Sequence, residues 1–177
     1  MNIAGATVES AFGIAEVHVR SWQAAYAGIV DAEFLKRMSV EDRARRWRDM
    51  IQRAESQTLV AHRGDEVVGF VSFGRCRDEG SSASDGEIWA LYAPPEVWGQ
   101  GIGRSLLSQA VQELHAPGRN EISLWVLSQN RRGVTFYEAF GFRRVQGSEK
   151  LFELGGHQVE EICLRLQNDA SQVAPPE

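Results

Sequence analysis

The sequence predicts a mixed α/β domain, and three observations carry that prediction. Helical and two-residue periodicities follow one another as two helices, two strands, then strand, helix, strand, helix, then two strands. The central strand-helix-strand unit fits a right-handed parallel crossover. Of the 177 residues, 43% are apolar and 24% charged, an ordinary balance for one domain that buries a core without disulfides or metals.

Each element has its own signal. ESAFGIAEVHVRSWQAAYAGI reads as the first helix: Ile14, Val17, Ser21 and Ala24 form one stripe, and His18, Trp22 and Tyr26, four apart, form a second. SVED opens the next helix, with Ser39 as N-cap and Asp42 as a weak capping-box partner. Its buried side is Ala44, Trp47, Met50 and Ile51, and its arginines read as a solvated face. TLVAH at 58–62 and EVVGFVSFGR at 66–75 flank a short turn and give a hairpin. CRDEGSSASDG is polar and rich in Ser and Gly, so a mobile loop is expected. EIWALYA at 87–93 is a strand cut off by Pro94 and Pro95. A helix follows with Ile102, Leu106, Leu107, Ala110, Val111 and Leu114 on one side, stopped by APG at 116–118. EISLWVLS at 121–128 is a strand, and RRGVTFYEAF a short helix ended by Gly141. Two strands within 142–154 and 158–166 flank a GG turn. The domain is expected to span residues 1–166, with a disordered tail at 167–177.

Charge and composition narrow the function classes. A net charge of −5 argues against nonspecific nucleic-acid binding. Cys76 and Cys163 lack metal-ligand spacing and read as free thiols, and the four histidines are scattered, so no metal is expected. No signal peptide or apolar membrane span is evident, which makes a cytoplasmic location the default expectation and a membrane partner unsupported.

The informative stretch is PEVWGQGIGRSLL, with Gly99, Gly101 and Gly103 at a helix start. The first amides of a helix have no helical acceptor, and the helix dipole there is positive. Glycines let such a loop bring those amides against a phosphate. The dinucleotide fingerprint does not fit, because the spacing is G-x-G-x-G, and neither does a P-loop, because Gly-Lys-Ser/Thr is absent. A tight turn without ligand stays open on these residues alone.

LYAPPEVWGQGIGRSLL followed by NRRGVTFYEAFGF resembles the GNAT superfamily of acetyl-CoA-dependent N-acetyltransferases. The first stretch is similar to the family's R/Q-x-x-G-x-G/A motif, the second to its N-x-R-A-x-x-F-Y-E-x-x-G-F motif. Trp98 departs from the first pattern and Gly133 from the second. The resemblance implies a GNAT-like acyltransferase fold, with a twisted and splayed central sheet and flanking helices. It implies acetyl-CoA as cosubstrate, bound by Leu91, Tyr92 and Ala93 along the pantetheine arm. Trp98, Gly99, Gln100, Gly101, Gly103, Arg104 and Ser105 would lie around the diphosphate, with Asn130 and Tyr137 beside the cofactor and Arg132 either near its phosphates or anchoring the short helix.

The implied reaction is transfer of acetyl to a primary amine of a small molecule or peptide by direct attack. An alkylammonium must lose a proton first, and the departing thiolate can accept one. By resemblance Tyr137 is the acid, Glu87 the candidate base (with Glu149 and Glu160 as weaker ones), and the Leu91 amide the oxyanion donor. Trp22, Tyr26, Trp89 and Trp125 are expected to line the acceptor pocket. A non-catalytic acyl-CoA-binding sensor is the alternative reading. The acceptor class stays open among polyamines, aminoglycosides, amino-acid-like compounds and protein N-termini. A homodimer is compatible with the resemblance, with the late strands as contacts.

Overall fold

In the computed structural model, residues 1–82, 85–115 and 121–167 are described. Eight strands form one mixed sheet: β1 (Asn2–Gly5), β2 (Gln57–Arg63), β3 (Glu66–Arg75), β4 (Asp85–Tyr92), β5 (Glu121–Leu127), β6 (Arg143–Arg144), β7 (Lys150–Leu154) and β8 (His157–Gln167). Their order is β1-β2-β3-β4-β5-β8-β6, with β7 also paired to β8. Among the described strands only β4 and β5 run parallel, joined across helix α4 (Ile102–His115), as the strand-helix-strand reading requires.

The two faces of the sheet are covered separately, because successive strand residues point to opposite sides. Leu59, Ala61, Val71 and Phe73 pack with Ile102, Leu106, Leu107 and Ala110 of α4. Val60 and Phe70, one residue out of step, pack instead with helices α1 (Ala11–Ala25) and α3 (Val40–Arg53) through Ile14, Val17, Ala44 and Trp47. Ser39 caps α3 by accepting a 3.1 Å hydrogen bond from the Asp42 amide. Helix α5 (Arg131–Phe140) lies on the α4 side, with Phe136, Tyr137 and Phe140 against that cluster.

Several elements differ from the sequence reading. β1 is four residues with hardly any burial, so it shows no apolar alternation; it is held as an edge strand by pairing with β2 from Asn2↔His62 to Gly5↔Leu59. The one-turn helix α2 (Ala32–Lys36) is too short for periodicity to reveal, although Asp31 caps it by accepting from the Phe34 amide at 2.8 Å. Gln167 ends β8, paired with Glu121, rather than opening the tail. The APG stop of α4, two residues of the 76–86 loop and the remainder of the tail lie outside the described residues.

Two irregularities in the sheet shape the rest of the molecule. In the β3-β4 ladder Ser72 faces Ala90 and Phe73 faces Ile88, so Trp89 is the extra residue of a β-bulge. The bulge inverts the alternation: Ile88 and Leu91, three apart, both pack on the α4 cluster, while Ala90 and Tyr92 pack on the α1 side. The parallel β4-β5 pairing then covers Asp85–Ile88 against Glu121–Leu124 and stops. Beyond it the two strands separate, while β5 stays paired with β8 as far as Leu127↔Glu161.

Helical spacing groups His18 with Trp22 and Tyr26, but the structure directs His18 into the core. Its Nδ1 accepts from the Trp47 indole at 3.2 Å, and its ring stacks on Tyr92 with centroids 5.1 Å apart. Burial, together with the charge of Arg43, lowers its pKa from 6.5 to about 3. In that window the unfolded chain takes up a proton that folded His18 refuses. Stability should therefore fall as pH drops from about 6.5 toward 3, by up to about 1.4 kcal/mol per pH unit from this group. Urea unfolding across that range should show a shallower acid limb in His18→Gln than in the native chain; equal limbs would contradict the assignment.

Candidate active site

A cavity of about 720 Å³ opens where β4 and β5 part. Its walls come from Ile88–Ala93 of β4 and the loop after it, Trp125–Leu127 of β5, the glycine loop, α5, the end of α1, and Phe152, Leu154 and Glu161 of the late strands. Strand backbone without a neighbouring strand carries unpaired N–H and C=O groups, which need a hydrogen-bonding partner. An extended ligand bearing amides meets that need.

At one end lies the glycine loop. After β4 the chain makes a 3-10 turn over Pro95–Val97, in which the amides of Val97, Trp98 and Gln100 donate to the carbonyls of Pro94, Pro95 and Val97. The Ser105 amide makes the first helical bond, to Gly101. The amides of Gly99, Gly101, Ile102, Gly103 and Arg104 have no protein acceptor among the described residues. Gly99 and Gly101 have φ of +75° and +82°, conformations that favour glycine, and a Cβ on either would meet open space. The loop therefore presents bare backbone and free donors at the positive end of a fourteen-residue helix. A diphosphate fits this cradle. The Arg104 and Arg132 side chains also line the cavity here and add positive charge.

Straps hold the loop in place. Glu96 pairs with Arg20 of α1 at 2.7 Å, and the Trp98 indole donates to the Ala93 carbonyl at 2.7 Å. Gln100 accepts from Arg63 of β2 at 2.7 Å and donates to the Glu96 carbonyl at 2.9 Å. Partly exposed pairs of this kind add at most about 1 kcal/mol each, so their contribution is to geometry. Two expected cofactor contacts are corrected here. The amide and side chain of Gln100 are both engaged within the protein, and it does not line the cavity. Ser105 faces a separate surface depression beside Ile3, Ser108 and Gln109.

Trp98, where the family motif carries Arg or Gln, has a structural account: its ring lies under the Arg132 guanidinium at 4.0 Å. Asn130 caps α5 by accepting from the Gly133 amide at 3.0 Å. A Cβ at 133 would come within 2.7 Å of the Asn130 amide nitrogen, so glycine lets that cap close. Tyr137 of α5 lines the cavity, set edge-on to Phe136 and Phe142. No hydrogen bond engages its hydroxyl among the described residues. Burial, with Tyr92 nearby, raises its pKa, so it stays protonated at neutral pH.

The other end of the cavity is aromatic and apolar. Trp22 and Tyr26 of α1 stand edge-on to each other at 4.9 Å, and the Tyr26 hydroxyl lies 3.3 Å from that of Tyr92. Trp125 and Leu127 of β5 and Phe152 and Leu154 of β7 add further apolar wall. Nearby, Phe34 of α2 sits against Gly155 of the β7-β8 turn so tightly that a Cβ there would lie 2.6 Å away. Trp89 also lines the cavity, with its indole donating to the Arg75 carbonyl and Arg77 stacked over its ring at 4.4 Å.

Glu87 is corrected. Period-two alternation would place it beside Trp89 and Leu91, but the bulge at Trp89 breaks that relation. The residue is 2% exposed, does not line the cavity, and accepts from the Arg77 amide at 2.8 Å and from the Arg77 guanidinium. A carboxylate so engaged is a structural anchor for the 76–82 loop. Of the weaker candidates, Glu149 pairs with Arg144 at 2.8 Å, and neither Glu149 nor Glu160 lines the cavity. One carboxylate that sequence reasoning missed does so: Glu161.

Comparison with known proteins agrees with this geometry. Residues 19–142 match the model of the acetyltransferase (GNAT) family. The chain is 34% identical over 162 residues to the uncharacterised N-acetyltransferase YuaI of Bacillus subtilis (strain 168), covering 90% of this chain and 88% of the relative. It is 28% identical to the spermidine N(1)-acetyltransferase of Thermoplasma acidophilum, over 83% of this chain and 92% of that one. The crystal structure of PaiA N-acetyltransferase from Thermoplasma acidophilum, in complex with coenzyme A, shares the fold with a TM-score of 0.75. It is 24% identical and covers 95% of this chain and 100% of that one. With the strand gap, the glycine cradle and these matches in agreement, the chain belongs to the GNAT family of acetyl-CoA-dependent N-acetyltransferases.

Proposed function

We propose that the chain transfers acetyl from acetyl-CoA to a primary amine of a small molecule or peptide, by direct attack, with Tyr137 as the acid. The observation that supports this best is the continuity of one cavity. Free helix-start amides, the aromatic walls and Tyr137, whose hydroxyl has no partner among the described residues, all border it. When bound, acetyl-CoA supplies an activated thioester. The chain supplies the remaining functions. Gly99 and Gly101 turn the loop so that its amides, with those of Gly103 and Arg104, meet a diphosphate, and the Arg104 and Arg132 side chains balance its charge. Leu91, Tyr92 and Ala93 offer the unpaired stretch of β4, and Asn130 orders the start of α5. Trp22, Tyr26, Trp89 and Trp125 hold the acceptor and exclude water from the reacting centre. Tyr137 delivers a proton to the departing sulfur, which a hydroxyl kept neutral by burial can do across the neutral range.

Thiol release measured over a panel of amines tests the reading; binding of acetyl-CoA without release from any amine would instead support a sensor. Tyr137→Phe is expected to lower turnover about a hundredfold while leaving acetyl-CoA affinity unchanged by calorimetry. Gly101→Ala places a Cβ on a residue at φ +82° and should weaken acetyl-CoA binding about tenfold. Gly103→Ala, whose Cβ would meet Phe136 at an ordinary 3.6 Å, should bind as the native chain does.

A further inference from the structure

We propose that Glu161 binds the acceptor's ammonium and takes its proton, and that the acceptor is a monocationic primary amine on an apolar or aromatic body. This rests on the amine-acetylating reading above and names its acceptor class. Glu161 is the cross-strand partner of Leu127, the last paired residue of β5. Directly opposed residues project to one face, so Glu161 stands beside Leu127 where the sheet opens.

Three observations isolate it. Among the described residues it is the only carboxylate lining the cavity, and no hydrogen bond or ion pair with another described residue engages it. Its register partner on β7, Lys150, is directed elsewhere: the ammonium lies 3.6 Å from the centre of the Trp125 ring and 3.4 Å from Asp78. The strand carboxylate expected to serve, Glu87, is held by Arg77. Burial raises the pKa of Glu161; Lys150 and Arg77 lower it, while Asp78 and Glu87 raise it. A base tuned upward in this way is better matched to proton removal near neutrality.

The surroundings specify the acceptor. Trp22, Tyr26, Trp125, Phe152 and Leu154 accept apolar surface, and aromatic faces tolerate a cation. One carboxylate answers one positive charge. The opposite end of the cavity carries Arg104 and Arg132, so its two ends favour opposite charges. In the proton step an N–H bond of the ammonium breaks, its electron pair remains on nitrogen, and the proton passes to a Glu161 oxygen and then to solvent. The freed pair forms the N–C bond as the C–S bond breaks, its electrons leaving on sulfur. The amide nitrogen loses one more proton, which restores Tyr137 after its donation.

Equilibrium binding of phenethylammonium, read by calorimetry without acetyl-CoA, tests the proposal independently of turnover. Glu161→Gln should weaken this binding about tenfold or more and leave acetyl-CoA affinity and thermal melting unchanged. Glu161→Asp should recover part of it. In kcat/KM against pH, the inflection that Glu161 adds to the acid limb of the native chain should be missing in Glu161→Gln, leaving only the rise set by the amine's own ionisation. Equal phenethylammonium binding by the native and Gln chains overturns the role of Glu161, and tighter native binding of spermidine than of phenethylammonium overturns the acceptor class. If the native chain acetylates no amine, the functional reading fails separately, and the binding comparison still decides the role of Glu161.

Discussion

The loss of hydrogen bonding between β4 and β5 beyond Ile88 and Leu124 is the constraint on which the molecule turns. A parallel pair in the middle of a sheet ordinarily stays closed along its length, because open edges leave backbone groups unpaired. Here the bulge at Trp89 bends β4 just where pairing stops. Meanwhile β5 remains anchored to β8 on its other side. The gap is thus a fixed slot framed by two well-held strands. Its backbone groups await a partner, and the glycine loop lies at its mouth because β4 runs directly into it.

The same geometry separates two electrostatic tasks. The cradle end combines the amino terminus of α4 with two arginines, and the acceptor end holds one unpaired carboxylate among aromatic rings. Tyr137 lines the same cavity, its hydroxyl kept neutral by burial. On the proposed reading, charge would help direct the two substrates to opposite ends.

Much of the cofactor half was legible in the sequence, because its signals are local. A strand ended by two prolines, glycines at a helix start, and Asn130 capping a short helix are each read within a few residues. The acceptor half depends on long-range pairing and was less legible. The bulge at Trp89 leaves no local mark, so alternation misplaced Glu87, and its Arg77 partner comes from a loop ten residues away in sequence. Period two on β8 could have set Glu161 apart from Ile162 and Leu164, but only the Leu127 register brings it to the cavity. β1 and α2 escaped because neither is long enough to carry a periodic apolar pattern. Gln100 and Ser105 sit within the motif, yet backbone turns occupy their amides.

The β7-β8 hairpin supplies Phe152, Leu154 and Glu161, yet lies beyond residue 142, where the family match ends. On the proposed reading the acceptor pocket is thus assembled from two sources: Trp22, Tyr26, Trp89 and Trp125 from inside the matched stretch, and Phe152, Leu154 and Glu161 from a ribbon outside it. That ribbon and its turn can be exchanged while the glycine loop and its straps stay as they are.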